Sequence, residues 1–366
     1  MLSDVGAREA SGATATPDGD DPGVPSRGGS GPLSCLVPRT PARSIDELIA
    51  GATERRPLGG ADGKSGSLLE RVVIDGEPFV LKQLHPDHDW TMRGFGDLWC
   101  RPVQLWVCGL LDAMPEVIDH AVVGAATGLG RHGWGGALLL RDVSAHLVPE
   151  GDDVLPFDHH RQLLDHLAEL SAQFWGAEEL PGLVPLGSRY TAFGPGWLEA
   201  EEQLGWPDAV PVIASDGWAR FAERAPADVR AVVDELRRDV DPLVRALERT
   251  PQTFLHGDWK LGNLGVAPGR TVLLDWTYPG IGPVAYELAW YVAINRLRLP
   301  EPKEDAIDAL QTSLERRGIA TGGWWERQVS LCLLGCLVQF GWEKALGDDD
   351  ELGWWCDRAR EGSTWL

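Results

Sequence analysis

Three polar residues in the second half of the chain stand at intervals that suit phosphoryl transfer: Asp258, Asn263 and Asp275. They belong to the runs His256-Gly257-Asp258-Trp259-Lys260-Leu261-Gly262-Asn263 and Leu274-Asp275-Trp276. Moving the terminal phosphoryl of a nucleotide onto a hydroxyl needs a carboxylate to accept or orient the hydroxyl proton, and oxygen ligands for Mg²⁺. Asp258 lies five residues before Asn263, and a short hairpin then returns the chain to Asp275. Such a path can gather two carboxylates and an amide oxygen around one metal-phosphate site. A lone His-Gly-Asp triplet also fits a tight glycine turn with solvated acids. The ordered set, with strands on both sides, is what points to chemistry.

The elements that must position these residues are legible as runs. Ser44-Ile45-Asp46-Glu47 has the Ser-x-x-Glu spacing of a capping box and predicts a short helix start. A glycine-rich stretch, Gly59 to Gly66, is followed by β-rich runs at Leu68–Ile74 and Pro78–Leu84 joined by Asp75-Gly76, a hairpin signal. A further strand is expected at Gly136–Leu140, after a helical insertion between Asp89 and Leu111. Beyond about residue 156 the pattern turns helical. Leu163, Leu164, Leu167, Leu170 and Phe174 make one apolar face, and Val229, Val232, Val233, Leu236, Val240, Leu243 and Leu247 another. Only the catalytic stretch interrupts it, with short strands at Thr253–Leu255, Leu264–Val266 and Val272–Leu274. A β-rich half followed by a helical half predicts an α+β fold. The domain expectation is a disordered tail over 1–44, an N-lobe over 45–143 and a C-lobe over 144–366. The tail reading follows from 27 Gly, Pro, Ser, Thr or Ala among its 44 residues and no aromatic side chain.

On these motifs the chain resembles the aminoglycoside phosphotransferase and choline kinase-like family. That resemblance implies a two-lobed protein-kinase-like fold, ATP or GTP with Mg²⁺ as cofactors, and a small-molecule hydroxyl acceptor. It implies that Asp258 is the catalytic base, that Asn263 and Asp275 are the metal ligands, and that His256 orders the loop. Tyr286-Glu287-Leu288-Ala289 resembles a later acidic element of the family, with Glu287 as an ion-pair or positioning residue. Lys82, at the end of Phe79-Val80-Leu81-Lys82, stands where kinase-like folds place the lysine that holds the α- and β-phosphates. Lys260 is read either as a contact of the γ-phosphate or as a solvated loop lysine. The loop containing Gly63 and Ser65 resembles a phosphate-covering loop. Leu138 to Ser144 resembles the linker between lobes, with Asp142 next to the adenine or bracing the linker. One departure stands out. No glutamate lies between Lys82 and Glu116, where the family expects the lysine's partner, leaving Asp87, Asp89, Asp97 and Asp112. That gap keeps a second reading open, a nucleotide-binding regulator with little catalysis.

Bulk properties narrow the partners. A net charge of -22 argues against nucleic acid, whose phosphates need Lys and Arg. The acidity permits a cationic acceptor, and Glu199, Glu201 and Glu202 near Trp197 and Trp206 suit an aminoglycoside-like or amino-sugar compound. His159, His160 and His166 are expected on a solvated helix face. The six cysteines form no CxxC pair, so a zinc site is not expected and a reducing compartment is. The most apolar run, Val329 to Val338, is ten residues, half of what a bilayer crossing needs. No membrane span and a cytoplasmic location are therefore expected.

Overall fold

The computed structural model describes residues 36–58, 65–129, 135–178, 182–205 and 208–366. Its strands are β1 (Ala52–Pro57), β2 (Leu68–Ile74), β3 (Glu77–Leu84), β4 (Ile118–Asp119), β5 (Val122–Leu129), β6 (Gly135–Arg141), β7 (Thr253–Leu255), β8 (Leu264–Ala267), β9 (Arg270–Leu273) and β10 (Gly280–Gly282). Five of them form an antiparallel sheet in the order β1-β2-β3-β6-β5. Asp75 and Gly76 both have positive φ, 52° and 85°, as a two-residue hairpin turn requires, and Ile74 pairs with Glu77. The sheet fixes Lys82. Alternation along β3 buries Leu81 with Val72, Ala126, Ala137 and Leu139 on one face. Lys82 therefore points to the opposite face, the side of Leu84, Leu138 and Leu140, which join the main core.

The helices are α1 (Ile45–Leu48), α2 (Trp90–Gly94), α3 (Arg101–Val107), α4 (Phe157–Gln173), α5 (Leu186–Tyr190), α6 (Pro195–Gln203), α7 (Ala209–Arg224), α8 (Ala227–Arg238), α9 (Asp241–Glu248), α10 (Val284–Ile294), α11 (Lys303–Arg316), α12 (Trp325–Leu346) and α13 (Asp349–Ser363). α1 and α3 pack with the sheet, α2 lies against Trp197 of α6 through Trp90, and the rest build the helical part. The architecture is the expected α+β one, with a β-rich N-terminal part and a larger helical C-terminal part. α12 packs against α7, α10 and α13 and is buried on nearly every side. By length and composition α12 could cross a bilayer, so the ten-residue reading of this region was too short. It is the core helix of the bundle, with 89% of its most apolar stretch buried inside the protein.

Two further expectations need correction. Residues 36–44 are not a disordered tail: Arg39 N donates to Val107 O (2.7 Å), Ala42 N to Ala125 O (2.8 Å) and Thr127 N to Ala42 O (3.1 Å). Backbone pairing along β5 and α3 orders a segment whose side chains carry little apolar mass. Residues 1–35 lie outside the described residues. His160 and His166 are buried rather than solvated. His160 bridges the Tyr291 hydroxyl (2.9 Å) and Glu301 (2.8 Å), and His166 contacts the Thr271 hydroxyl (2.8 Å). Burial pushes both imidazoles below their ordinary range despite neighbouring acids. Among the described residues Cys100, Cys108, Cys332, Cys336 and Cys356 are free thiols, and all but Cys108 are buried.

Candidate active site

Two small strand pairings gather Asp258, Asn263 and Asp275. β7 pairs antiparallel with β10, Leu255 opposite Gly280, and β8 pairs with β9, Leu264 opposite Leu273. The first brings the end of β7, just before His256, against the segment after Asp275. The second folds Asn263 back so that its carbonyl accepts from Leu274 N (2.9 Å). Asp258 and Asp275 are thereby delivered to one place by backbone geometry. Gly257 makes the turn with φ of 85°, and a Cβ there would run into Tyr278 O and the Arg189 guanidinium. A side chain is excluded on both counts.

Asp258 is 2% exposed, and its carboxylate accepts three hydrogen bonds. Oδ2 receives Asn263 Nδ2 at 2.7 Å and Lys260 Nζ at 2.7 Å. Oδ1 receives Trp290 Nε1 at 2.7 Å. Asn263 Nδ2 also donates to Asp258 O (3.0 Å), so both contacts are made through the amide nitrogen and the orientation of the amide is fixed. Asp275 takes a left-handed φ of 62°, a conformation aspartate tolerates better than most residues. Its Oδ1 accepts from Lys82 Nζ (2.7 Å) and the Thr277 hydroxyl (2.6 Å). Burial opposes ionisation of Asp275, but Lys82, Thr277 and Lys260 outweigh it and hold the carboxyl well below the usual range. Burial likewise opposes the charge on Lys260, and Asp258 and Asp275 more than restore it, raising the ammonium.

The loop is braced from beneath. His256 is fully buried; its Nε2 donates to Leu274 O (3.0 Å) while Nδ1 accepts from Asp258 N (3.2 Å). Burial depresses its imidazole to about 4, so the neutral tautomer with a proton on Nε2 ties the two halves of the site together. Glu287 on α10 accepts from Gly257 N (2.6 Å) and Trp259 N (3.4 Å), and burial pushes its carboxyl up to about 7. Asn295, just past the end of α10, accepts from Leu261 N (3.2 Å). α10 and the residue that caps it thus grip the Asp258 loop through Glu287, Trp290 and Asn295. Trp290 and Asn295 were missed by the sequence reading. Asn295 gave no signal, whereas Trp290 lies three residues after Glu287 on the same helix face.

Other expected residues fall elsewhere. Lys82 and Asp275 share one cleft, and Asp275 is the partner the missing glutamate left open. The four candidate aspartates are engaged otherwise: Asp89 caps α2, Asp97 accepts from Trp99 N and Arg101 N, Asp87 faces His85 and Asp112 faces Arg39. Gly63 lies outside the described residues, as does Trp206. Ser65 contacts the Ser67 hydroxyl (3.2 Å), and its carbonyl accepts from Trp90 N (3.1 Å). Asp142 bonds within its own turn, to Ser144 N (3.1 Å) and the Ser144 hydroxyl (2.6 Å). The α6 glutamates do not act as a set. Glu201 is buried against Arg93 (3.5 Å), which also pairs with Asp208 (2.7 Å), while Glu199 and Glu202 are exposed. Beside α6 lies a cavity of about 300 Å³ whose lining includes Phe95, Ser188, Trp197 and Arg237. Phe95 packs edge-on against Tyr278 (4.7 Å), three residues past Asp275.

The donor set suits Mg²⁺, a hard cation that takes oxygen ligands and shares them with nucleotide phosphates. Asp275 offers an ionised carboxylate and Asn263 an amide oxygen. Among the described residues no group of three or more His, Cys, Asp or Glu converges.

A sequence model described as the phosphotransferase enzyme family, APH, matches residues 71–320. No curated protein matches. Among solved structures, choline kinase LicA from Streptococcus pneumoniae is 14% identical with a TM-score of 0.44, covering 88% of this chain and 98% of that one. A thermostable mutant of aminoglycoside phosphotransferase APH(4)-Ia, solved with ADP and hygromycin B, is 13% identical with a TM-score of 0.43, covering 88% and 97%. A microcompartment-associated aminopropanol kinase is 17% identical with a TM-score of 0.44, covering 85% and 90%. With the family match spanning more than half of its length, and both the Asp258 loop and Asp275 inside that match, the chain belongs to the phosphotransferase enzyme family.

Proposed function

We propose that the protein transfers the γ-phosphoryl of ATP, as its magnesium complex, to a hydroxyl of a small molecule. The observation that carries this reading is the joint placement of Asp258, Asn263 and Asp275 with Lys82 and Lys260 in one cleft. Asp258 accepts or orients the proton of the attacking hydroxyl. The hydroxyl oxygen forms a bond to the γ-phosphorus, the bond to the β,γ-bridging oxygen breaks, and ADP leaves. Lys82 and Lys260 neutralise phosphate charge: Lys82 exchanges its present carboxylate contact for a phosphate oxygen, and Lys260, with three N–H donors, reaches a phosphate oxygen while keeping its contact with Asp258. Mg²⁺, held by Asn263 and Asp275, supplies charge neutralisation of the nucleotide phosphates. His256 and Glu287 keep the loop rigid, so the gain comes from positioning and preorganised electrostatics.

The proposed acceptor is a hydroxyl-rich small molecule, with aminoglycoside-like and amino-sugar compounds as the first class to test. Exposed Glu199 and Glu202 supply carboxylates for an amine, whereas Glu201 is committed to Arg93. An ADP-release screen with Mg-ATP over aminoglycosides, macrolides, amino sugars, choline and simple sugars tests this reading. Turnover with a phosphorylated small-molecule product is expected. Phosphorylation of protein alone would contradict it.

A further inference from the structure

Asp258 has two oxygens that are loaded unequally. An ionised carboxylate offers about four lone-pair positions, two on each oxygen. On Oδ2 both are taken, by Asn263 Nδ2 and Lys260 Nζ, each at 2.7 Å. On Oδ1 one is taken, by Trp290 Nε1 at 2.7 Å, and among the described residues no protein donor occupies the other. The indole is itself fixed. It stands on α10 three residues after Glu287, which holds the loop's backbone, and packs edge-on over buried Phe340 at 5.0 Å. It is partly exposed, so it lies at the wall of the cleft rather than deep in the core.

Resting on the catalytic role proposed for Asp258, we propose that Trp290 is a positioning residue that makes Oδ1 the oxygen receiving the acceptor hydroxyl. By donating one hydrogen bond, the indole sets the carboxylate's rotation and leaves a single lone pair of Oδ1 open to the substrate. Without that donor the carboxylate keeps its hold on Asn263 and Lys260 through Oδ2. Oδ1 is then free to swing, and the hydroxyl loses a defined partner.

Two substitutions separate this role from packing. Trp290→Phe keeps an aromatic ring against Phe340 and removes the N–H. Trp290→His places Nε2 at the same ring position as the indole nitrogen and can donate again. ADP release from Mg-ATP is followed with water as the acceptor, so the measurement does not wait on the natural substrate. In W290F turnover falls about ten-fold, as expected for one lost hydrogen bond to a charged group, while the KM for ATP stays within about two-fold. W290H recovers a large part of the rate. A W290F rate equal to wild type overturns the proposal, as does a matching loss in both variants with a raised KM or lowered melting temperature. A second readout needs no turnover. In protein labelled with ¹⁵N at tryptophan, the Trp290 Nε1–H resonance, identified by its absence from W290F, moves in D258N; an unmoved resonance overturns the contact. D258N also keeps the two readings apart: activity surviving there refutes the role of Asp258, whereas an inactive D258N beside an unaffected W290F refutes only that of Trp290.

Discussion

At the residue scale the site is a set of paired charges. Lys82 and Asp275 meet at 2.7 Å although they are 193 positions apart, and Lys260 meets Asp258 at 2.7 Å. Replacing Lys82 by Met removes the partner of Asp275 and the proposed phosphate contact. Turnover should fall by roughly ten- to a hundred-fold in an ADP-release assay, in the range expected for losing one preorganised electrostatic contact. An unchanged rate would remove Lys82 from the site. Glu287 offers a pH test. Its folded-state carboxyl lies at about 7 against an ordinary 4.5, because burial disfavours the charge. Folding therefore favours the protonated form. The stability this contributes is full below about 4.5 and is lost as the pH rises through about 7. Glu287→Gln does not titrate, so its melting temperature relative to wild type should rise from pH 5 to about pH 7 and level off by pH 8. A constant difference across that range would show that the carboxyl does not titrate in it.

At the element scale two short strand pairings and one helix carry the geometry. β7 with β10 and β8 with β9 bring the two aspartates together, and α10 braces the loop between them. The turn at Gly257 is where this frame is tightest. Gly257→Ala adds a Cβ into Tyr278 O and Arg189 at a φ of 85°. It should destabilise the protein by about 1–3 kcal/mol or more, read as a lowered denaturant midpoint, with activity lost alongside. Wild-type stability in that variant would mean the loop is not held as described. How far the sequence revealed this frame follows from what kind of signal each part carries. The Asp258-Asn263-Asp275 spacing and the Asp75-Gly76 hairpin are local, so they could be read directly. The Lys82–Asp275 pair is non-local: nothing in the residues around Lys82 announces a partner in the other half of the chain. Trp290 sits in Tyr286-Glu287-Leu288-Ala289-Trp290-Tyr291-Val292, an apolar run that reads as core, and only the fold turns its N–H toward Asp258. His160 was misjudged although the signal was present. It falls on the same helical repeat as Leu163, Leu164 and Leu167, which are buried. The acidic run on α6 was read as one cluster because composition does not say that Glu201 alone turns inward to Arg93.

At the scale of the whole molecule, residues 36–366 belong to one compact unit, and one apolar cluster runs from Leu138 and Leu140 of the sheet to Leu331 and Leu334 of α12. Leu334 is fully buried, so Leu334→Ala should cost about 2–5 kcal/mol. Because the cluster is continuous, one unfolding transition should move, with far-ultraviolet circular dichroism and tryptophan fluorescence coinciding. Two separated transitions would mean that the sheet and the helices unfold independently. Nucleotide binding should act on the same unit. Mg-ATP is expected to raise the melting temperature, because a ligand bound only by the folded state stabilises it by mass action, and EDTA should remove most of that shift. An EDTA-insensitive shift would contradict the metal roles of Asn263 and Asp275. The central claim, that Asp258 serves the transfer step rather than nucleotide binding, is tested by comparing wild type and Asp258→Asn in two assays run together: the thermal shift with Mg-ATP, and transfer of label from [γ-³²P]ATP across the acceptor panel. In Asp258→Asn a preserved thermal shift is expected, with transfer reduced by a factor of about 10² or more; equal transfer by the two proteins would contradict the role of Asp258.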